Sequence, residues 1–471
     1  MSKLRYFGLI FGFVAQISVA AVPEPVAQAL QKDGVSADSV AVVVQRLDSD
    51  KPLIAHLADK AMNPASVMKV LTTYAGLEIL GPAYRWRTEV YTSGQLNNGV
   101  LDGNLILKGY GDPAFMSEDL WRLLNSLRGL GLREIRGDLV LDTSYFSPKY
   151  NDSAAFDGDS YRAYNATPNA LLVNLKSTSF RLAMDGTHFS VRAEPDLPEI
   201  KVVNQLKLTQ DECGDWRSKL SYKILPAVDK TQVVTVTFTG SFAASCGEKY
   251  LELSLLDDAT FTHSLFRKIW QELGGSLRGS VKLGVSPEKA EKLMEQSSDP
   301  LNDIVRRINK YSNNLMARQL YLTLGAERVG TPATEADGEK AITSWLAGKG
   351  MEFPELVLEN GAGLSRLERI SAAHLNQLLV HAYNSPVMPE FMSSLPILAV
   401  DGTTSRRLKD SAMQGRVHLK TGSIDGVRSV AGYVLDAKGR RWSVVFLANG
   451  AQAQSTRAAQ DALLEWVYQQ P

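Results

Sequence analysis

The chain has 471 residues, 44% hydrophobic and 22% charged, which is the balance of a folded globular protein and enough length for about three domains. Its 51 Lys and Arg equal its 51 Asp and Glu, so charge gives no reason to expect nucleic acid or an anionic membrane surface as partner.

In chain order, the first feature is a leader. Lys3 and Arg5 precede an apolar run from Tyr6 to Val19, and small residues follow at Ala20 and Ala21. That pattern predicts a secretory signal over residues 1–20 and a periplasmic mature chain. The run is shorter than the ~20 residues a membrane span needs, and no later segment reaches that length.

Residues 63–81, NPASVMKVLTTYAGLEILG, come next. Val67, Val70, Leu71, Tyr74, Leu77 and Leu80 recur at helical spacing and predict a buried face, ended by Gly81-Pro82. Ser66 and Lys69 stand one turn apart at its start, on one face. TEVYTSG (88–94) and GNLILKG (103–109) read as strands around a turn-rich segment. Residues 117–131 form an amphipathic helix with Ser117 as N-cap and Leu120, Leu123, Leu124 and Leu127 on its apolar face. Residues 137–146 read as another strand.

From about 170 to 256 the pattern alternates and is β-rich. This stretch holds both cysteines, Cys213 and Cys246. In an exported chain an even pair most simply forms a disulfide, and a loop of about 33 residues would contribute roughly 3–4 kcal/mol; two free buried thiols are the alternative. No CxxC or HExxH is present, which argues against zinc. Helical periodicity returns at 262–275, 300–325 and 335–350. Strands follow at 416–422, 428–436 and 440–450, the last two joined by a turn at Asp436–Gly439, and a helix closes the chain.

A serine hydroxyl is a weak nucleophile until a base takes its proton. No serine here has the GxSxG setting of a histidine-based triad. Lys69 is the nearest base in sequence, and burial or a second cation makes a lysine neutral enough to serve. Two further motifs follow in order: Ser312-Asn313-Asn314 between helical segments, and Lys420-Thr421-Gly422-Ser423 on a strand. S-x-x-K, S-x-N and K-T-G together are the signature of penicillin-binding proteins and class A β-lactamases. In this reading Lys420 supplies the second cation and attracts a substrate carboxylate. Thr421 and Ser423 offer it hydroxyls, and Gly422 leaves room for a peptide backbone. Ser312 relays a proton, and Asn314 holds a substrate amide.

Between Lys69 and Ser312 lie 242 residues, far more than a compact β-lactamase has. With LKGYGDP (107–113), NGAGLSR (360–366), DGTTSRR (401–407) and KTGSIDGVRSVAGYV (420–434), the chain resembles the class C low-molecular-mass penicillin-binding proteins. These are the D-alanyl-D-alanine carboxypeptidases and endopeptidases of the penicillin-binding protein 4 type. The resemblance implies an α/β fold in which a β-lactamase/DD-peptidase-like catalytic domain has an antiparallel sheet flanked by helices. Two smaller, β-rich domains are inserted in it. The expected boundaries are 21–85 with 285–471 for the catalytic domain, 86–170 with 257–284 for the first insert, and 171–256 for the domain nested within it.

The resemblance also implies a mechanism without a cofactor. Ser66 attacks the penultimate D-alanine carbonyl of a peptidoglycan stem peptide, Lys69 accepts its proton, and the N–H groups of Ser66 and Ser423 hold the oxyanion. D-alanine or a diaminopimelate amine leaves, and β-lactams acylate the same serine. Arg366, and Asp142 in LDTSYF, are expected to line a pocket for the diaminopimelate side chain. Association with a membrane surface or other cell-wall enzymes is compatible with this. A β-lactamase-like or other D-amino-acid hydrolase on the same domain is one alternative, and a non-catalytic scaffold another. GYGDPA (109–114) alone is a weak dinucleotide fingerprint. His418, Asp401, Trp121, Trp216 and Trp270 are expected in packing or turn roles rather than catalysis or sugar binding.

Overall fold

The computed structural model describes residues 22–148, 152–186, 188–227 and 233–471; the leader expected at 1–20 lies outside them. No helix among the described residues is long and apolar enough to cross a membrane.

The catalytic domain is built on a five-stranded antiparallel sheet in the order Val417–Ile424, Val427–Leu435, Arg441–Asn449, Val40–Arg46, Ile54–His56. Its central strands are buried on both faces, and alternate residues serve different cores. Val40, Val42 and Val44, with Val444 and Phe446, pack beneath the terminal helices Glu24–Lys32 and Arg457–Tyr468. Val43, Val445 and Leu447 join the larger helical core on the other face.

At the centre of that core is the helix Met68–Leu80, buried from Met68 to Leu77 on every side, Lys69, Thr72 and Thr73 included. Sequence periodicity predicts one buried face. The helix is enclosed all round because Leu301–Tyr311, Asn314–Arg328, Glu335–Gly348 and Ala372–Tyr383 surround it. The helical stretch over 300–325 is two helices with the Ser312–Asn314 motif between them, as expected, because Ser312 adopts a left-handed φ of 56° and Asn313 then caps the second, its side chain accepting from the Met316 N–H at 3.0 Å.

The first insert is a seven-stranded mixed sheet. The hairpin Arg87–Asn97 and Val100–Gly109 runs longer than expected, because Asn98 and Gly99 close it in two residues, both with positive φ. Glu291–Ser297 pairs antiparallel with Arg87–Asn97, so this sheet reaches residue 297, past the 284 expected. The expected strand at 137–146 is confined to Leu139–Asp142. Helix Ser117–Gly129 is capped by Met116 rather than Ser117: Asp119 accepts the Met116 N–H at 3.0 Å, leaving Ser117 inside the first turn. Two small sheets form the nested unit, where Cys213 and Cys246 are disulfide-bonded with their Cα atoms 4.6 Å apart.

Candidate active site

Ser66 is half-buried in a 3-10 turn, Ala65–Val67, that leads into the central helix. Three neighbours fix the turn. Ser429 donates to the Pro64 carbonyl at 2.5 Å. The Asn63 side chain accepts the Ala65 N–H at 2.8 Å, and Asn449 exchanges two hydrogen bonds with the Asn63 backbone, 2.8 and 2.9 Å long. Ala65 is held at φ 46°, a strained conformation for a residue with a side chain.

Two glycines let other chain segments close on this turn. A β-carbon at Gly363 would lie 1.8 Å from the Ala65 carbonyl oxygen, and one at Gly422 would lie 2.6 Å from the Pro64 oxygen and 3.0 Å from the Ser66 nitrogen. The missing side chain at Gly422 thus lets the serine's turn close on this strand.

Lys69 is fully buried. Its Nζ lies 3.0 Å from Ser66 Oγ and 2.6 Å from Asn314 Oδ1, and it also donates to the Ala362 carbonyl. Burial lowers its pKa to about 7, while Glu368 pulls the other way. An amine so poised is neutral often enough at neutral pH to take a proton from the hydroxyl beside it. Lys420, equally buried, donates to Ser312 Oγ at 2.8 Å and to the Thr421 carbonyl at 2.8 Å. Burial, and then the charge of Lys69, push it well below the ordinary lysine value. Thus three distant chain segments meet here: Ser66, Lys69 and Asn314 form one hydrogen-bonded group and Ser312 and Lys420 another, near enough for the charge of Lys69 to act on Lys420.

The strand Val417–Ile424 is at the sheet edge. Leu398 donates to the Val417 carbonyl and Leu419 donates to the Pro396 carbonyl, both at 2.9 Å, so odd-numbered backbone groups point away from the sheet. By the same alternation, Thr421 and Ser423 direct their N–H and C=O groups to the open edge beyond that cover. Thr421 Oγ1 is 2.9 Å from Thr403 Oγ1, and Ser423 donates to Gln454 at 3.1 Å.

The two pocket residues behave differently. Arg366 is exposed, donates to the Asp425 carbonyl at 2.8 Å, and lies 4.8 Å from the centre of the Phe156 ring. It borders a cavity of about 220 Å3 with Asp152 and Phe156. Asp142 is not brought there. It is fully buried in the first insert, where Ser144 and Ser286 occupy both carboxylate oxygens with four hydrogen bonds of 2.6 to 3.0 Å. Burial opposes its ionisation, but those bonds hold its pKa below the usual value. The acids that line the Arg366 cavity are Asp152 and Glu359.

Glu368 is the functional neighbour with no motif at all. Fully buried, it accepts the N–H groups of Glu359, Asn360 and Gly361 on one oxygen, at 3.2, 2.9 and 2.9 Å. It thereby holds the loop whose Ala362 carbonyl meets Lys69. His418 packs 3.2 Å from the Met392 carbonyl, and Asp401 pairs with Lys310 at 2.7 Å, both in structural roles. Trp270 is core and Trp121 is exposed, whereas Trp216 is half-buried at the edge of a cavity.

An antiparallel sheet backed by a buried serine–lysine helix, with large inserts between the first and second motifs, belongs to the serine hydrolases of the β-lactamase and DD-peptidase fold. Within that class, the chain belongs to the D-Ala-D-Ala carboxypeptidase 3 (S13) family, whose sequence profile matches residues 22–470. It is 27% identical over 423 residues to D-alanyl-D-alanine carboxypeptidase DacB of Haemophilus influenzae, covering 88% of this chain and 85% of that one. It is 29% identical over 439 residues to the D-alanyl-D-alanine carboxypeptidase of an Actinomadura species, covering 90% and 80%. The crystal structure of penicillin-binding protein 4 from Haemophilus influenzae superposes with a TM-score of 0.76 at 25% identity, over 94% of this chain and 98% of that one.

Proposed function

We propose that this serine D-Ala-D-Ala carboxypeptidase acts on peptidoglycan stem peptides in the periplasm through an acyl-enzyme on Ser66, and that β-lactams acylate the same oxygen. The observation that carries the reading is Lys69, lowered to about 7 and 3.0 Å from Ser66 Oγ. Lys69 takes the hydroxyl proton as Oγ attacks the penultimate D-alanine carbonyl. The carbonyl oxygen gathers charge between the N–H of Ser66 and the outward N–H of Ser423. Ser312, bonded to Lys420, returns a proton to the departing D-alanine nitrogen, and water then releases the acyl group. Lys420, Thr421 and Ser423 receive the terminal carboxylate, and Asn314 receives an amide of the stem.

The cavity at Arg366 favours a second activity at the same serine. Arg318 and Arg366 line it together with Asp152 and Glu359, a mixture of cations and anions that suits the zwitterionic end of a diaminopimelate side chain and hence cleavage of D-alanyl–diaminopimelate cross-links. The test is digestion of purified monomeric and cross-linked muropeptides by wild-type protein and Ser66→Ala. Wild type should release D-alanine and, from dimers, monomers. Ser66→Ala should do neither and should take no fluorescent penicillin. Activity surviving in Ser66→Ala would sink the mechanism. A penicilloyl-enzyme that clears within seconds would mark a β-lactamase instead.

A further inference from the structure

Beside the Ser312–Asn314 loop, a cavity of about 1030 Å3 opens between the catalytic domain and the nested unit. Ser312, Asn313 and Asn314 form one end of it, so it is continuous with the site. Its volume is at the upper limit for a pocket that takes a small molecule, and far exceeds what one departing D-alanine needs.

Its walls have a particular chemistry. Four aromatic rings face it: Tyr311, 73% exposed and next to Ser312; Tyr164; and, from the nested unit, Trp216 and Tyr222. The last two are anchored from behind. Trp216 packs edge-on against Phe242 with ring centres 6.3 Å apart, and Tyr222 leans on the buried Phe238 at the same distance. These rings are therefore held in place before any ligand arrives. Among them stand hydrogen-bonding groups such as Asn174 and Glu252. The formal charges cancel, since Arg162 and Arg217 are matched by Glu194 and Glu252.

Balanced charge gives no field for a polyanion or a lipid surface. Fixed aromatic faces beside amide and carboxylate groups instead match a sugar, whose C–H face stacks on a ring while its hydroxyl and acetamido groups hydrogen-bond. We propose that this cavity binds the glycan of peptidoglycan, a neutral β-linked strand of N-acetylated amino sugars, and so makes the enzyme prefer polymeric over free peptide substrate. The inference rests on the function proposed above. The stem peptide is tied to that strand, and an extended stem of four or five residues spans about 15 Å. A strand lying in the cavity thus stays within one stem's reach of Ser66. Trp216, expected from sequence to be a packing residue, acquires here the role of a sugar platform.

The test uses full-length protein and two substrates. Trp216→Ala should release D-alanine from a soluble pentapeptide, and take fluorescent penicillin, at the wild-type rate. On intact sacculi below saturation it should be about tenfold slower, the order of one lost aromatic contact. Trp216→Phe should recover most of the loss. Independently, the Ser66→Ala protein should bind peptide-free glycan chains, and adding Trp216→Ala should weaken that binding about tenfold. Absence of binding to peptide-free glycan overturns the inference, as does an equal loss on soluble and polymeric substrates. If the wild type acts on neither peptide nor penicillin, the proposed function fails instead, and glycan binding by Ser66→Ala still decides this inference.

Discussion

At the residue scale, Lys69 and Glu368 form a buried opposed pair, with Lys420 facing Lys69 and Tyr321 also feeling Glu368. A carboxylate raises the pKa of a neighbouring amine, and activity that needs neutral Lys69 appears as pH rises through that pKa. Glu368→Gln keeps an oxygen for the three backbone N–H groups but removes the charge. The acid limb of the penicillin-acylation pH profile should then move to lower pH by about one unit; an unmoved limb would mean that Glu368 carries no charge in the active protein. Burial of Lys69 also bears on folding. Its pKa falls from 10.5 to about 7, so between those values the unfolded chain binds the extra proton and stability rises with pH, the penalty being complete below about 7. Lys69→Met should abolish acylation, and its stability relative to wild type should improve by ~3 kcal/mol as pH falls from 10 to 7, read from urea midpoints. Ser66, Lys69, Ser312, Asn314 and Lys420 are visible in the sequence because each motif keeps its reactive groups a few residues apart. Glu368, Asn63 and Asn449 are not, since what they hold lies in backbone brought together only by folding. Asp142 misled for the converse reason: a short motif carries no information about burial, and two serines enclose its carboxylate.

At the scale of elements, the nucleophile's turn is made by three chain segments meeting with almost no space between them. Gly363 has a φ of 75°, and any β-carbon there runs into backbone atoms, which cannot rotate aside as a flexible side chain would. Gly363→Ala should therefore displace the Ala65–Ser66 turn and slow penicillin acylation by at least about a hundredfold, in line with the effect of ~1 Å misplacement of reacting groups. Gly439→Ala is the matched control. Its φ is 80° but nothing lies within 4 Å of the added carbon, so it should cost about 1 kcal/mol in stability and leave acylation alone. Equal acylation rates in the two variants would show that the contact at Gly363 does not matter. Elements with a clean period, such as the leucine face of Ser117–Gly129, were legible from sequence. The strand Val40–Arg46 was not, because a strand buried on both faces has no polar alternation to reveal it. The break at Ser312 was legible only through its motif, since the helical period continues on either side of one left-handed residue.

Across the whole molecule, the large apolar cores divide along a functional line, and two small clusters, one around Phe146 and Leu322 and one around Leu172 and Leu315, join inserts to catalytic domain. One continuous core runs through both inserts, from Leu120 and Trp270 to Phe238 and Cys246, while two others fill the catalytic domain on either face of its sheet. Segments sharing a core unfold together, so heating should give two transitions, one for the paired inserts and one for the catalytic domain. The disulfide Cys213–Cys246 closes a separation of 33 residues inside the first of these units. Replacing both cysteines by serine should remove about 3–4 kcal/mol from that unit alone and lower its transition by about 10 °C. The catalytic transition should stay in place, and soluble penicillin should still acylate Ser66 at the wild-type rate, because no residue of the Ser66–Lys69–Ser312–Lys420 constellation belongs to the inserts. Calorimetry paired with acylation kinetics reads both quantities. Transitions that shift together, or an acylation rate that falls with the disulfide, would mean that inserts and catalytic domain form one cooperative unit and that the inserts support the chemistry directly rather than the handling of the polymer.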